Sequence, residues 1–165
     1  MAIRQKNKII LGIDPGLAIT GYGIISYTAK KTSLIACGSI NSKAQELFEK
    51  RLSKIYTNLT KIISTYKPDI VAIEELFFAK NAKTALKVGQ ARGVAVLAAC
   101  QENVPIQEFT PLQVKQAITG YGLASKSQIQ KMVKLLLSLK TVPQPDDVAD
   151  ALAVAICCAQ TKEFK

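Results

Sequence analysis

Histidine is absent from the 165 residues, and that absence excludes more chemistry than any other feature of the sequence. It removes Ser-His-Asp and Cys-His nucleophilic schemes, histidine general bases and the usual zinc sites. Hydrolytic chemistry must then run on carboxylates, lysines, hydroxyls or a metal bound by oxygen. Acidic residues are themselves scarce, 12 against 22 Lys and Arg, which leaves a net charge of +10 and a pI near 9.5. Such an excess favours a polyanionic partner, because each phosphate neutralised by Lys or Arg releases condensed counterions. No apolar stretch approaches the roughly 18–20 residues that span a bilayer, so no membrane association is expected. The basic amino terminus, MAIRQKNKII, runs straight into a strand-like segment with no small-residue cleavage site, and does not read as a secretory signal. The four cysteines (Cys37, Cys100, Cys157, Cys158) lack C-x-x-C pairing and read as buried free thiols in a reducing cytosol, with Cys157 and Cys158 on different sides of a helix. Repeats, low-complexity tracts and Ser/Pro-rich linkers are also missing, so residues 1–165 read as one cytoplasmic domain.

What is present divides by hydrophobic period. Ile9 to Ile13 is a short apolar run ending at the turn signal Asp14-Pro15-Gly16. Ile19 to Tyr27 and Ser33 to Ile40 read as two more strands, and the short connection between them suits a hairpin, giving an antiparallel meander. Leu47, Leu52, Ile55, Leu59, Ile62 and Ile63 then recur at helical spacing, up to Pro68. Asp69 to Glu74 is continuously apolar apart from its ends, as in a strand buried on both faces. A long helix from about Asn81 to Gln101 should carry Ala82, Ala85, Leu86, Gly89, Val96, Leu97 and Cys100 on one side, and Pro105 to Phe109 forms a further strand. Thr110-Pro111-Leu112-Gln113 and Ser125-Lys126-Ser127-Gln128 have the spacing of capping boxes, and a last helix runs from about Asp146 to Gln160. The order predicts an α/β fold: a mixed five-stranded sheet, antiparallel meander plus parallel strands, flanked by helices on both faces.

Several of the few acids fall where charge is costly. Asp14 ends one apolar strand, Glu74 and Glu75 end another, and Asp147 and Asp150 stand in the otherwise apolar DVADALAVAI. Three residues apart on a helix, Asp147 and Asp150 lie about 60° apart and can face one point. Asp146, four before Asp150, is equally acceptable on spacing alone. Carboxylates converging from two strand ends and a helix repel one another unless a cation lies among them. Hard divalent ions, Mg²⁺ or Mn²⁺, are the natural occupants. Two of them roughly 3.5–4 Å apart can activate a water and stabilise the leaving oxygen of a phosphodiester. Singly, each acid also suits a turn or a helix cap.

The residues resemble the RuvC family of Holliday-junction resolvases. The resemblance begins with Ile10-Leu11-Gly12-Ile13-Asp14-Pro15-Gly16 and Thr20-Gly21-Tyr22-Gly23. It continues through Val71-Ala72-Ile73-Glu74, Phe77 and Ala79-Lys80-Asn81-Ala82, then Gly89-Gln90-Ala91-Arg92-Gly93, Thr110-Pro111, Val114-Lys115, Gly120 and Lys126-Ser127-Gln128. It closes on Asp147-Val148-Ala149-Asp150-Ala151-Leu152-Ala153. The resemblance implies an RNase H-like fold, a homodimer, and paired nicks across a four-way junction that leave 5′-phosphate and 3′-hydroxyl ends. It implies catalytic, metal-holding carboxylates at Asp14, Glu74, Asp147 and Asp150, two Mg²⁺ per site with Mn²⁺ able to substitute, and partnership with a RuvA–RuvB branch-migration complex. It favours Glu74 over Glu75 and Asp147 over Asp146. Phe77 resembles the aromatic that stacks at the junction centre, and Lys80, Arg92, Lys115 and Lys126 resemble basic residues that contact DNA. The helix after Lys80 resembles a dimer-forming helix. Leu17 departs from the family, where Ser or Thr often follows Asp-Pro-Gly; that hydroxyl is not a metal ligand.

Two rival classes share parts of this pattern. A branched-DNA-binding module with a silent active site would keep the basic charge, though it has no need of all four carboxylates. Gly12-Ile13-Asp14 with Thr-Gly-x-Gly also resembles the phosphate loop of actin-like ATPases and sugar kinases, whose second lobe 165 residues leave no room for.

Overall fold

A computed structural model describes residues 7–28, 31–75 and 82–161, with the side chains of residues 82–84 outside the description. Phe77 and Lys80 lie outside the described residues. Three strands, β1 (Lys8–Asp14), β2 (Ile19–Thr28) and β3 (Lys31–Asn41), are followed by α1 (Phe48–Tyr66), β4 (Ile70–Glu74), α2 (Ala82–Gln101) and β5 (Ile106–Phe109). The helices α3 (Pro111–Thr119), α4 (Lys126–Leu136) and α5 (Asp146–Gln160) complete the chain. The sheet order is β3-β2-β1-β4-β5, with β2 antiparallel to β1 and β3, and β4 parallel to β1 and β5. This is the mixed α/β sheet that the alternating pattern implies.

The strand period of two sends alternate residues into two cores. Leu11, Ile13, Val71 and Ile73 face α1 and α2, whereas Ile10 and Ala72 face α3, α4 and α5. Both capping boxes form: Thr110 and Ser125 each accept from the backbone of the Gln three residues on, and each Gln side chain accepts from the cap's own amide. Helix α5 is apolar around its whole circumference and is buried from Val148 to Ala159 except for Asp150, the placement that such a helix requires.

Three sequence expectations are corrected. On α2 the buried residues are Ala91, Ala95, Ala98 and Ala99, while Leu86 and Leu97 are 70% and 49% exposed and Cys100 is also exposed. The helix packs its alanines into the core it shares with α1 and the sheet, where small side chains allow a close approach to α1, and turns its larger apolar residues outward. Leu47 precedes α1 at the N-cap position and is exposed. Of the cysteines, Cys157 and Cys158 are buried together because all sides of α5 are covered, whereas Cys37 and Cys100 are exposed.

Candidate active site

Asp14 ends β1 and Glu74 ends β4, and the parallel register that pairs Ile13 with Ile73 sets the two carboxylates side by side at the same edge of the sheet. Alternation puts Asp14 on the face of Ile10 and Gly12, and Glu74 on the face of Ala72, which is the α5 face. Glu75 follows the end of the strand, its amide donating to the Phe109 carbonyl at 2.8 Å, and is not among the charges that act on Asp14.

The first turn of α5 reaches this edge because β1 and β2 offer it bare backbone. A Cβ at Gly12 would strike the Ala151 carbonyl, and one at Gly21 would strike the Asp147 carbonyl. Gly21 pairs directly with Asp14 across the β1–β2 ladder. The contact that seats Asp147 over Gly21 therefore also seats it beside Asp14. Asp147 and Asp150 face the strand-end carboxylates, and their position near the helix N-terminus favours negative charge.

Burial, then the charges of Asp150, Glu74 and Asp147, raise the Asp14 pKa from an ordinary 3.8 to about 7, with Lys126 opposing. Burial and Asp150 push Glu74 upward against Lys115 and Lys126. Asp150 is raised by burial, while a hydrogen bond from Lys126 pulls it back down. Lys126 Nζ lies 2.9 Å from Asp150 and 3.5 Å from Asp146, and its own pKa rises because these bonds outweigh its burial. Asp146 is exposed and also accepts from Gln130 at 2.9 Å. Among the described residues, no three carboxylates are drawn close enough to close a metal shell as they stand. What they form is a concentration of negative charge, in ion-pair contact with Lys126 and offset more distantly by Lys115. An all-oxygen, carboxylate donor set with uncompensated charge suits a hard divalent cation and no softer one.

Two openings flank this group. One, of about 190 Å³, is lined by Glu74, Asp150, Lys115 and Lys126, bringing two of the sequence-predicted cations to the carboxylates. The other, of about 390 Å³, lies beside Asp147 and contains Arg51 and Lys87. Nothing in the sequence singles out those two, since a cation on the polar face of an amphipathic helix carries no signal of its own. Arg92 lines neither opening and is ion-paired with Glu108 of β5.

The model of the crossover junction endodeoxyribonuclease RuvC family matches residues 10–158. The chain belongs to the RuvC family. A crossover junction endodeoxyribonuclease RuvC of Alkaliphilus oremlandii is 61% identical over 156 residues, 94% of this chain and 95% of that protein. The Thermus thermophilus RuvC structure superposes with a TM-score of 0.84 at 36% identity, covering 90% of this chain and 92% of that one. T. thermophilus RuvC in complex with Holliday junction substrate gives 0.83 at 33% identity, covering 90% and 91%. The fold is thus the RNase H-like α/β fold of RuvC proteins, and membership of this nuclease family sets aside the actin-like reading. Among the described residues, no helix is long and apolar enough to cross a membrane.

Proposed function

We propose that this protein resolves four-way DNA junctions by paired symmetric nicks, in recombination and repair, with Asp14, Glu74, Asp147 and Asp150 holding two Mg²⁺ ions. The observation that carries this reading is the convergence of the four acids, in which burial and the other three raise the Asp14 carboxyl to about 7 while Glu74 and Asp150 line a cleft with Lys115 and Lys126. Such a group is costly to keep without a cation, and Mn²⁺ offers the same hard, oxygen-seeking alternative. When bound, such ions activate the attacking water and stabilise the leaving oxygen of a phosphodiester. Lys115 and Lys126 bind the phosphate at this cleft and offset the charge it brings, and Lys126 meanwhile opposes the upward shift that burial imposes on Asp150. Their resemblance to family residues supports reading Phe77 as the aromatic that stacks at the junction centre and Lys80 as a DNA contact. Contact from Arg92 requires it to exchange Glu108 for phosphate.

The same reading takes the protein to be a homodimer. The outward face of α2, with Leu86 and Leu97 exposed, is apolar surface without a partner among the described residues. Family membership supports a cytoplasmic site of action and a RuvA–RuvB partner as parts of the same reading.

The test is magnesium-dependent cleavage of a mobile synthetic four-way junction beside a linear duplex of matching sequence, with wild type and Asp14→Asn in parallel. Symmetric nicks in the junction alone are expected. In the variant, losing several kcal/mol of metal-supplied stabilisation should cut the rate about a thousandfold or more while junction binding persists. A folded wild type that binds junctions of varied sequence and cuts none, with Mg²⁺ or Mn²⁺, would overturn the proposal in favour of a binding module.

A further inference from the structure

We propose that the opening beside Asp147 is a second DNA-backbone groove, in which Arg51 and Lys87 hold phosphates on the side of the cut opposite Lys115 and Lys126. The inference rests on the nuclease reading of the carboxylates and extends it to the path of the strand.

The groove is built, not a chance gap between side chains. Its floor is the β1–β2 turn from Gly16 to Ile19, and its walls come from α1, α2 and the first turn of α5. Thr20 is fully buried and donates to the Gly16 carbonyl at 2.7 Å, which fixes the turn from beneath. Ser42 donates to the Leu17 carbonyl at 2.6 Å, and Arg51 Nε donates to the same Ser42 hydroxyl at 2.8 Å. Among the described residues, this chain of bonds leaves the two terminal nitrogens of the guanidinium for another acceptor and sets the plane in which they lie. Among the described residues, neither Arg51 nor Lys87 has an acidic side chain within ion-pair distance. Glu46 feels the Arg51 charge but is bonded to the Lys43 amide at 2.7 Å and to Lys54 at 3.5 Å.

The placement of these cations points to a phosphodiester rather than a small anion. Two positive groups on separate helices stand across an open groove of about 390 Å³ whose floor is largely apolar, suited to a sugar between charged linkages. Asp147 forms part of its wall, as Asp150 forms part of the wall of the opening with Lys115 and Lys126. The acidic group therefore separates two basic grooves. A strand held at both ends across it has its central phosphate over Asp14, with cations compensating the neighbours that the acids would repel.

The experiment is a binding cycle without divalent ions, so that nothing is cut. Junctions carrying a single neutral methylphosphonate linkage, moved stepwise to either side of the cut, are titrated with wild type, Arg51→Gln/Lys87→Gln, and Lys115→Gln. The double variant should bind the unmodified junction about tenfold more weakly, with a salt slope lower by about two contacts. A neutral linkage on one side should weaken wild type severalfold and leave the double variant unaffected; on the other side, Lys115→Gln should be the insensitive protein. Equal losses for all three proteins at every linkage, or an unchanged salt slope in a folded double variant, would overturn the groove. If Arg51→Gln lowers the unfolding temperature through loss of the Ser42 contact, the exposed Lys87→Gln alone carries the cycle, since a purely structural role moves stability and not salt slope. A wild type that prefers no junction over duplex contradicts the proposed function, and the same cycle run on the duplex still decides the groove.

Discussion

Asp14 bears a cost that depends on pH and has a calculable sign. Its folded pKa of about 7 lies above the ordinary 3.8. Between those values the folded, metal-free protein holds a proton that the unfolded chain has released. The stability associated with that proton is present in full below about pH 4 and is lost as pH rises toward 7. Asp14→Asn should therefore gain about 1–3 kcal/mol over metal-free wild type at about pH 8 and nothing near pH 4, measured by urea unfolding at each pH. A difference that stays constant with pH would mean that Asp14 suffers no such penalty. Added Mg²⁺ should reverse the order at neutral pH, because it stabilises only the protein that binds it. At this scale the sequence was partly legible. A carboxylate directly after a run of buried aliphatics signals itself, so Asp14 stood out. The choice between Glu74 and Glu75 did not, because a continuous apolar run hides the phase of the strand. The phase was supplied by family resemblance; in the structure Glu74 lies on the α5 face and lines the cleft with Asp150.

Among the elements, α5 and the strands beneath it are the most closely interdependent. Gly21→Ala would drive a methyl group into the Asp147 carbonyl. The helix must lift or the ladder bend, at about 1–3 kcal/mol. Thermal unfolding should show that loss, and metal-dependent cleavage should fall further than stability accounts for, because Asp147 moves relative to Asp14. Activity that follows folded fraction alone would count against this coupling. The last helix could be read from sequence because nothing else explains DVADALAVAI. The seating of that helix could not, since glycines in strands of the pattern ITGYG look locally like weak points. Only the register, which sets Gly21 opposite Asp14, gives them a purpose. Helix α2 is the contrary case. Its leucines drew the sequence reading to the wrong face, because hydrophobicity marks a surface that must be covered without saying what covers it.

For the whole molecule, the outward leucines of α2 and the excess of positive charge belong together. A homodimer through α2 would place two acidic sites on one basic particle. Leu86→Glu should shift sedimentation from dimer to monomer at micromolar concentration while circular dichroism keeps the native helix content. Wild type sedimenting as a monomer under the same conditions would remove α2 as a dimer face. The fold class was almost entirely legible from the switch between periods of two and 3.6, and the site nearly so. The two flanking grooves were not, because they arise from loops and helix faces that meet only after folding.

The order in which these parts leave the ribosome has a biological consequence. Asp14 is synthesised early, but its partners Asp147 and Asp150 belong to the last helix of the described chain. Until that helix is out and resting on Gly12 and Gly21, a growing chain has only two of the four proposed site carboxylates, Asp14 and Glu74. On the proposed assignment, nascent and truncated copies lacking that helix should not cut DNA, and the activity arrives only once α5 is in place.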